Sequence, residues 1–294
     1  MRYVLENEKL RVEIDSFGAE LKSVKDKATD QEYMWQGDPQ YWGRTSPILF
    51  PFVGRLRNDC FLHEGKTYTM KQHGFARDME HRILSQSATE IRFQLTDNEE
   101  TFKNYPFSFV LSIGYELCEN ELKVLWEVSN PSADKHMHFS IGAHPAFNCP
   151  IHGEDSKAGY KLYFGGADEI RHHGNDRITG LSLDEDLVLP LEDSRAVITP
   201  EFFDRCTYIV EDRQTKEIGI EDPEGNRYIT VFFDMPLFGL WSPEGKNAPF
   251  LCIEPWCGRC DSENFEGTLR TRAFDNTLEA GNTFKTSYTI KFGK

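Results

Sequence analysis

The sequence has no run of about 18 apolar residues, which is the length a helix needs to cross a bilayer. Its most apolar stretch, residues 229–241, is interrupted by Asp234 and Pro236. The first twenty residues carry charged side chains where a secretory signal would have an apolar core. We therefore expect a soluble, cytoplasmic protein whose mature chain begins at Met1.

The chain also lacks an excess of positive charge. It has 33 Lys and Arg against 48 Asp and Glu, so its formal net charge is −15. Such a charge repels nucleic-acid backbones and anionic lipid surfaces. Its seven cysteines are scattered, without the dense spacing of a disulfide scaffold. We expect no nucleic-acid or membrane partner, and cysteines that are reduced and mostly buried.

No long amphipathic helix and no alternation of strands with helices is visible, which disfavours a parallel sheet. Apolar and polar residues instead alternate with period two, which is typical of half-buried strands. The alternating windows are 10–14, 90–95, 107–117, 121–128, 228–233 and 286–292. Windows 107–117 and 121–128 are separated by three residues and predict an antiparallel hairpin. The 294 residues are therefore expected to form one large all-β antiparallel domain, residues 1–294.

Four segments between predicted strands each place ionisable residues among glycine, proline and aromatic residues. They are 46–58, 72–78, 141–148 and 251–256. Sugar sites are built in this way, because aromatic faces cover the C–H surface of the ring while fixed polar groups contact its hydroxyls. The four segments therefore indicate a sugar-binding site.

The ordered set Gly54-Arg55, His73-Gly74-Phe75, Ala143-His-Pro-Ala-Phe147 and Ile253-Glu-Pro-Trp256 resembles the aldose 1-epimerase (mutarotase) family. The resemblance is closest to its bacterial LacX-like branch and extends over essentially the whole chain. It implies a β-supersandwich fold of the galactose mutarotase type. It also implies interconversion of the α and β anomers of a hexose, chemistry that needs neither a metal nor another cofactor.

By the same resemblance, Glu254 is the general base and His144 is the general acid. His73 and Arg55 fall on positions that bind the sugar, and Asp204 falls on an aspartate that contacts it. Nearby negative charge, for which Asp204 is the candidate, would keep His144 protonated. The residues alone leave non-catalytic alternatives open. Glu254 could be a solvated glutamate at the end of a strand, and His144 could be a structural histidine in a tight turn.

Two further residues complete the predicted site. Arg77 either contacts the sugar or pairs with Asp78 in its own loop. Trp241 is the aromatic residue that we assign to the pocket, although Phe238 and Trp256 are also candidates. We expect no metal site, because His136 and His138 have no evident third ligand and Cys257-Gly-Arg-Cys260 has no second cysteine pair.

The function class has alternatives. A mutarotase for a hexose phosphate would need a cationic cluster for the phosphate, for which Arg44, Arg55, Arg57, Arg77 and Lys246 are candidates. A non-catalytic carbohydrate-binding protein would keep the cleft without turnover. A glycoside hydrolase is more distant, because it needs two carboxylates and only Glu254 is well marked. The sequence leaves the sugar and the oligomeric state open.

Overall fold

The computed structural model describes residues 1–293 and consists almost entirely of β-strands. The strands are β1 (Arg2–Glu6), β2 (Leu10–Asp15), β3 (Glu20–Asp26), β4 (Ile48–Leu49), β5 (Cys60–His63), β6 (Lys66–Thr69), β7 (Arg82–Gln86), β8 (Glu90–Thr96), β9 (Val110–Cys118), β10 (Glu121–Ser129), β11 (Met137–Phe139), β12 (Ile141–Ala143), β13 (Ala146–Asn148), β14 (Lys161–Phe164), β15 (Glu169–His172), β16 (Leu187–Pro190), β17 (Arg195–Val197), β18 (Tyr208–Val210), β19 (Glu217–Glu221), β20 (Arg227–Phe233), β21 (Leu237–Trp241), β22 (Phe250–Cys257), β23 (Asn276–Leu278) and β24 (Thr283–Phe292). One α-helix, α1 (Glu99–Asn104), and three single 3₁₀ turns (Arg57–Asp59, Ala76–Asp78 and Leu269–Thr271) accompany them.

The larger of the two main sheets has nine antiparallel strands in the order β17-β14-β19-β20-β24-β10-β9-β8-β7. Its centre contains the predicted hairpin, in which β9 and β10 pair from Cys118 opposite Glu121. Along β10 every second side chain is buried, as the period-two pattern of the sequence requires. The apolar faces of these strands contribute to a hydrophobic core that includes residues from Leu5 to Phe292.

The second main sheet carries the functional site. Its strand order is β18-β21-β22-β12-β4, and β13 also pairs with β22. All eight residues of β22 are buried, and strands flank it on both sides. A fully buried strand usually has a continuous run of apolar residues in its sequence. Glu254 is the exception within it.

The expected all-β antiparallel architecture is confirmed. The short helix α1 was not predicted, although its start has a sequence signal. The Asn98 side chain accepts hydrogen bonds from the backbone N–H groups of Glu100 and Thr101, which caps the helix. Within residues 1–293 no helix has the length and apolar character needed to cross a membrane.

Candidate active site

The centre of the candidate site is Glu254, in the interior of β22. Its side chain is only 1% exposed and lies opposite Gly239 of β21. Side chains alternate along a strand, so Glu254 shares its face with Cys252 and Trp256. The alternative of a strand-end glutamate in solvent is therefore wrong, and the carboxyl group is held inside the sheet.

His144 is brought to Glu254 by the way in which two short strands pair with β22. β12 pairs with the end of β22 at Trp256–Cys257, whereas β13 pairs with its beginning at Phe250–Cys252. The link between β12 and β13 must therefore cross the middle of β22, next to Glu254. His144 lies in that link, and its Nδ1 is 3.4 Å from Oε1 of Glu254. We call these two residues the acid–base pair.

Three aromatic rings hold the imidazole of His144 in place. Trp42 stacks on it with ring centroids 4.7 Å apart and planes inclined by 27°. Trp241 and His73 approach it edge-on, at 5.4 and 5.6 Å. Aromatic pairs favour both arrangements. The ring plane of His144 is thus set by packing on several sides.

His73 is oriented by the backbone. Its N–H donates to the carbonyl of Gly54 at 2.7 Å, and its Nδ1 accepts from the Gly54 N–H at 3.1 Å. Because Nδ1 is an acceptor, the ring proton of the neutral imidazole is on Nε2. His73 and Gly74 have φ values of 66° and 70°, and a β-carbon on Gly74 would lie 2.2 Å from the carbonyl oxygen of Phe50. The His-Gly pair therefore allows this close turn.

Two arginines contribute positive charge. Arg77 donates from Nη2 to the Gln72 carbonyl at 2.7 Å, while its buried Nε has no hydrogen-bond partner among residues 1–293. Asp78 is paired more closely with Arg44, at 2.7 Å, than with Arg77, at 3.9 Å. Burial lowers the pKa of Arg77 to about 10. Arg77 is thus a cation with little local compensation.

The cleft around the acid–base pair has a volume of about 360 Å³. Its lining combines the conformationally fixed histidines with arginines, tryptophans and amide or hydroxyl groups. The lining residues are Trp42, Arg44, Val53, Gly54, Gln72, His73, Arg77, His144, Asn175, Gly180, Thr207, Ile209, Trp241, Glu254, Trp256 and Cys260. The structure therefore brings together His144, Glu254, His73, Arg77 and Trp241 of the predicted site.

Two predicted sugar-binding residues lie outside this lining. The guanidinium of Arg55 forms two hydrogen bonds with Asp59, at 2.6 and 2.7 Å, and donates to the carbonyl of Thr179 at 3.2 Å. Asp204 accepts a hydrogen bond from the Gly245 N–H at 2.8 Å. Because Asp204 is not part of the cleft lining, it does not serve as the negative neighbour that was expected to keep His144 protonated.

Several lining residues were not among the predicted ones. Trp42 follows Tyr41 in an aromatic loop, a signal that could have indicated a sugar platform. Asn175 and Thr207 have no comparable signal, because they meet only through a hydrogen bond from the Thr207 N–H to Asn175 Oδ1, at 2.7 Å. Trp256 was considered for the pocket, and the structure places it in the lining.

Trp256 lies flat because both neighbouring strands have a glycine beneath it. A β-carbon on Gly142 of β12 would be 2.6 Å from the indole, and one on Gly239 of β21 would be 2.3 Å from it. Both are closer than real β-carbon contacts, so the two glycines make room for the ring. One wall of the cleft thus depends on glycines almost 100 residues apart.

Burial dominates the electrostatics of the site. It raises the pKa of Glu254 well above its usual value and lowers the pKa of His144 to about 3, with Arg77 adding to the second shift. Burial also lowers the pKa of His73 well below its usual value. Both shifts in the acid–base pair favour the uncharged forms, a protonated carboxyl and a neutral imidazole. The expectation that His144 is protonated at rest is not supported.

The polar atoms of the pair are available to a ligand. His144 Nδ1 and both carboxyl oxygens of Glu254 are buried without a hydrogen-bond partner among residues 1–293. Unpaired buried polar atoms are costly and uncommon in folded proteins. A molecule with hydroxyl groups would satisfy them, and the pair could both take and give a proton.

Metal-ligand groupings differ from those considered in the sequence. His138 hydrogen-bonds Thr277 Oγ1 at 3.0 Å, and neither His136 nor His138 belongs to a cluster of three ligand residues within residues 1–293. Ligand atoms of His144, Cys252 and Glu254 instead lie within 4.8 Å of one another, and so do those of His152, Asp222 and Glu224. The first group is buried and the second is mostly exposed.

Comparison with known proteins gives consistent matches. The family model described as aldose 1-epimerase matches residues 1–291. The chromosomal LacX protein of Lactococcus lactis is 30% identical over 297 residues, which cover 99% of both chains. A galactose mutarotase related enzyme from Lactobacillus acidophilus has a similar structure, with a TM-score of 0.93, 35% identity and coverage of 100% of this chain and 98% of that one. A galactose mutarotase-like protein from Lactobacillus casei gives a TM-score of 0.90 and 31% identity, with 99% of each chain covered.

Proposed function

The chain belongs to the aldose 1-epimerase family, and on this premise we propose that it is a mutarotase that interconverts the α and β anomers of a hexose. The observation that carries the proposal is the acid–base pair. A buried imidazole nitrogen and a buried carboxyl oxygen lie 3.4 Å apart in a cleft, and neither has a protein hydrogen-bond partner among residues 1–293.

The reaction requires two proton transfers at one hemiacetal. A base removes the proton from the anomeric hydroxyl, the bond from C1 to the ring oxygen breaks, and an acid protonates that oxygen. The product is the open-chain aldehyde. Rotation about C1–C2 presents its other face, and closure with both transfers reversed gives the other anomer. We assign Glu254 as the base at the anomeric hydroxyl and His144 as the acid at the ring oxygen.

This assignment requires the pair's single proton to change position. In the empty cleft burial favours the proton on Glu254, whereas the reactive form has a carboxylate and an imidazolium. Both forms contain one proton, so no exchange with solvent is needed. Sugar hydroxyls that donate to the carboxylate would stabilise the charged form by replacing the hydrogen bonds that burial removed. Substrate binding thus prepares the pair for reaction.

The other cleft residues would orient the sugar. His73 contributes its Nε2, which also contacts the Gln72 side-chain amide at 3.3 Å, Arg77 offers an unpartnered Nε–H, and Trp241 covers an apolar part of the wall. Arg55 acts from outside by bonding the carbonyl of Thr179, next to Gly180 in the lining. Orientation of this kind lowers the barrier by holding the reacting atoms in place.

Polarimetry of freshly dissolved α-glucose and α-galactose tests the proposal. We expect wild-type protein to accelerate the change in rotation. We also expect Glu254→Gln and His144→Asn to lower the catalysed rate about 10²- to 10⁴-fold each, the range for one acid or base group. Both changes nearly preserve side-chain shape, so circular dichroism and unfolding midpoints should show an intact fold.

The structure offers a matched control in a second histidine and glutamate. His173 Nε2 lies 3.7 Å from Glu211 Oε2, outside the cleft lining. We expect His173→Asn to leave the rate close to that of wild type. If either variant of the acid–base pair is folded and fully active, the proposal is wrong. Sugar-dependent stabilisation without faster mutarotation would instead favour the non-catalytic carbohydrate-binding protein.

A hexose phosphate is the second candidate substrate, because two of the arginines considered for a phosphate site, Arg44 and Arg77, line the cleft. A phosphate dianion would pair with guanidinium groups through charge-assisted hydrogen bonds. If this candidate is correct, the KM for glucose 6-phosphate is lower than that for glucose, and Arg77→Met raises mainly the former. Equal KM values for both sugars would reject it.

A further inference from the structure

Cys252 is a buried thiol that the proposed reaction does not use. It lies on β22 two residues before Glu254, so both side chains are on the same face of the strand. Its exposure is 0%, and it belongs to a buried apolar cluster that includes Phe250 and Ala248. The sulfur is therefore excluded from solvent.

Together the three residues form a set of potential metal ligands. A nitrogen of His144, the sulfur of Cys252 and an oxygen of Glu254 are all within 4.8 Å of one another. In tetrahedral zinc sites neighbouring ligand atoms are about 3.3 to 3.6 Å apart, as follows from Zn–N, Zn–O and Zn–S lengths of about 2.0 to 2.3 Å. The distance from His144 Nδ1 to Glu254 Oε1, 3.4 Å, already lies in this range. The sulfur lies within 4.8 Å of a ligand atom of each of the other two residues.

The unsatisfied atoms of the acid–base pair are also suited to a metal ion when no sugar is bound. Within residues 1–293, Nδ1 of His144 and both oxygens of Glu254 are buried without hydrogen-bond partners. The Glu254 side chain is 1% exposed and that of His144 is 10% exposed. Nδ1 of His144 and Oε1 of Glu254 are 3.4 Å apart. A cation placed among them would satisfy the atoms that the fold leaves unpaired.

We propose that His144, Cys252 and Glu254 form an inhibitory binding site for Zn²⁺. One sulfur, one imidazole nitrogen and one carboxylate oxygen suit zinc and other borderline-soft divalent ions, whereas Mg²⁺ and Ca²⁺ prefer oxygen ligands alone. A thiolate, a carboxylate and a neutral imidazole together cancel the two charges of the ion. Such a neutral complex is compatible with burial.

Binding would proceed with a balanced release of protons. The thiol proton of Cys252 and the carboxyl proton of Glu254 leave to solvent as the metal binds, and no redox change occurs. His144 binds through a lone pair of its neutral ring. A water molecule or a sugar hydroxyl would complete the coordination as a fourth ligand.

Inhibition is the functional consequence, and this part rests on the proposed mutarotase activity. The lone pairs that would accept and relay the proton during ring opening are occupied by the metal. Cys252 takes no part in the reaction, so its removal should affect metal sensitivity more than turnover. The site therefore provides a way to separate zinc binding from catalysis.

Co²⁺ and Zn²⁺ titrations of the chelator-treated full-length protein test the inference. With Co²⁺ we expect a near-ultraviolet band from thiolate-to-metal charge transfer, at one ion per chain and displaced by Zn²⁺. Cys252→Ala should abolish the band and weaken Zn²⁺ binding by at least about tenfold. Cys257→Ala is the matched control, because Cys257 is a buried cysteine on the same strand whose side chain lies on the opposite face. This variant should retain the band.

Activity measured in parallel completes the test. We expect Zn²⁺ to inhibit wild type reversibly, with recovery on adding a chelator, and to inhibit Cys252→Ala much less. Cys252→Ser serves the same purpose if the alanine variant is poorly folded. A wild type without the band, a band that persists in both Cys252 variants, or activation by Zn²⁺ would overturn the inference. Because metal binding is measured without sugar, an inactive protein that shows the band would contradict the proposed function and leave the metal site standing.

Discussion

The packing of Trp256 makes Gly239 a sensitive position. An alanine there would place its β-carbon 2.3 and 2.4 Å from two carbons of the indole's six-membered ring. Ordinary contact begins at 3.4 Å, so the ring would have to move by 3.4 − 2.3 = 1.1 Å. Gly142 supports the other part of the indole, where atoms of Trp256 and Val53 leave no room for a β-carbon. The indole therefore has little freedom to retreat within its present site.

Overpacking of this kind costs about 1 to 3 kcal/mol. We expect Gly239→Ala to lower the free energy of unfolding by that amount in urea titrations. The Tm should fall by about 2 °C or more for each kcal/mol in a chain of this size. Because Trp256 lines the cleft, KM for the sugar should also rise. Gly43→Ala is the matched control, since its β-carbon would meet nothing closer than 3.9 Å.

A double mutant identifies the cause. Trp256→Phe removes the ring atoms that Gly239→Ala would approach, so the cost of the alanine should largely disappear in that background. An unchanged cost in the Trp256→Phe background would refute the packing explanation. So would a Gly239→Ala protein with wild-type stability and an unchanged KM.

Three further predictions concern charge. The pKa of the histidine in the acid–base pair is lowered to about 3 and that of the glutamate is raised, so kcat/KM should show no inflection at the usual histidine pKa of about 6.5. A roughly tenfold fall for each pH unit above 6.5 would instead indicate a histidine titrating at its usual pKa. Burial lowers the pKa of His81 to about 4. As the pH falls, His81 is therefore protonated in the unfolded chain before it is protonated in the folded protein. The free energy of unfolding should drop by about 2 kcal/mol between pH 7 and pH 5 because of His81. In urea titrations of His81→Asn, the free energy of unfolding should lack this part of its pH dependence. A pH dependence equal to that of wild type would contradict the prediction. Arg272 is buried between Asp261 and Asp275, at 2.7 and 2.8 Å. Arg272→Met should destabilise the protein by about 3 to 5 kcal/mol because it leaves buried acidic groups unpaired. Lys103→Met, which removes an exposed ion pair, should change stability by less than about 1 kcal/mol, and equal losses in the two variants would reject this reasoning.

Much of the architecture was predictable because strand signals are local. The alternation in residues 121–128 predicts a half-buried strand, and the three residues before it predict a tight turn. The structure confirms both predictions as the β9–β10 hairpin. Neither inference needs knowledge of distant residues. The helix at 99–104 was missed because a six-residue helix has too few turns to show a periodic pattern.

The residue types of the site were also recognisable, since the segments around His73, His144 and Glu254 combine fixed turns with ionisable groups. Their convergence depends on pairing. His144 reaches Glu254 only because β12 and β13 pair with opposite ends of β22. No local pattern reports that register, and for the same reason Arg55 and Asp204 could not be separated from the residues that line the cleft.

Protonation is the property that depended most on tertiary structure. From sequence, a glutamate is an anion at neutral pH, and a histidine near a negative charge is a cation. Burial raises the pKa of Glu254 and lowers that of His144, so the folded chain favours the uncharged forms of both. The order of the residues by itself determines the side-chain types and the periodicity of the strands. Register, burial and charge state arise only when distant strands exclude water together.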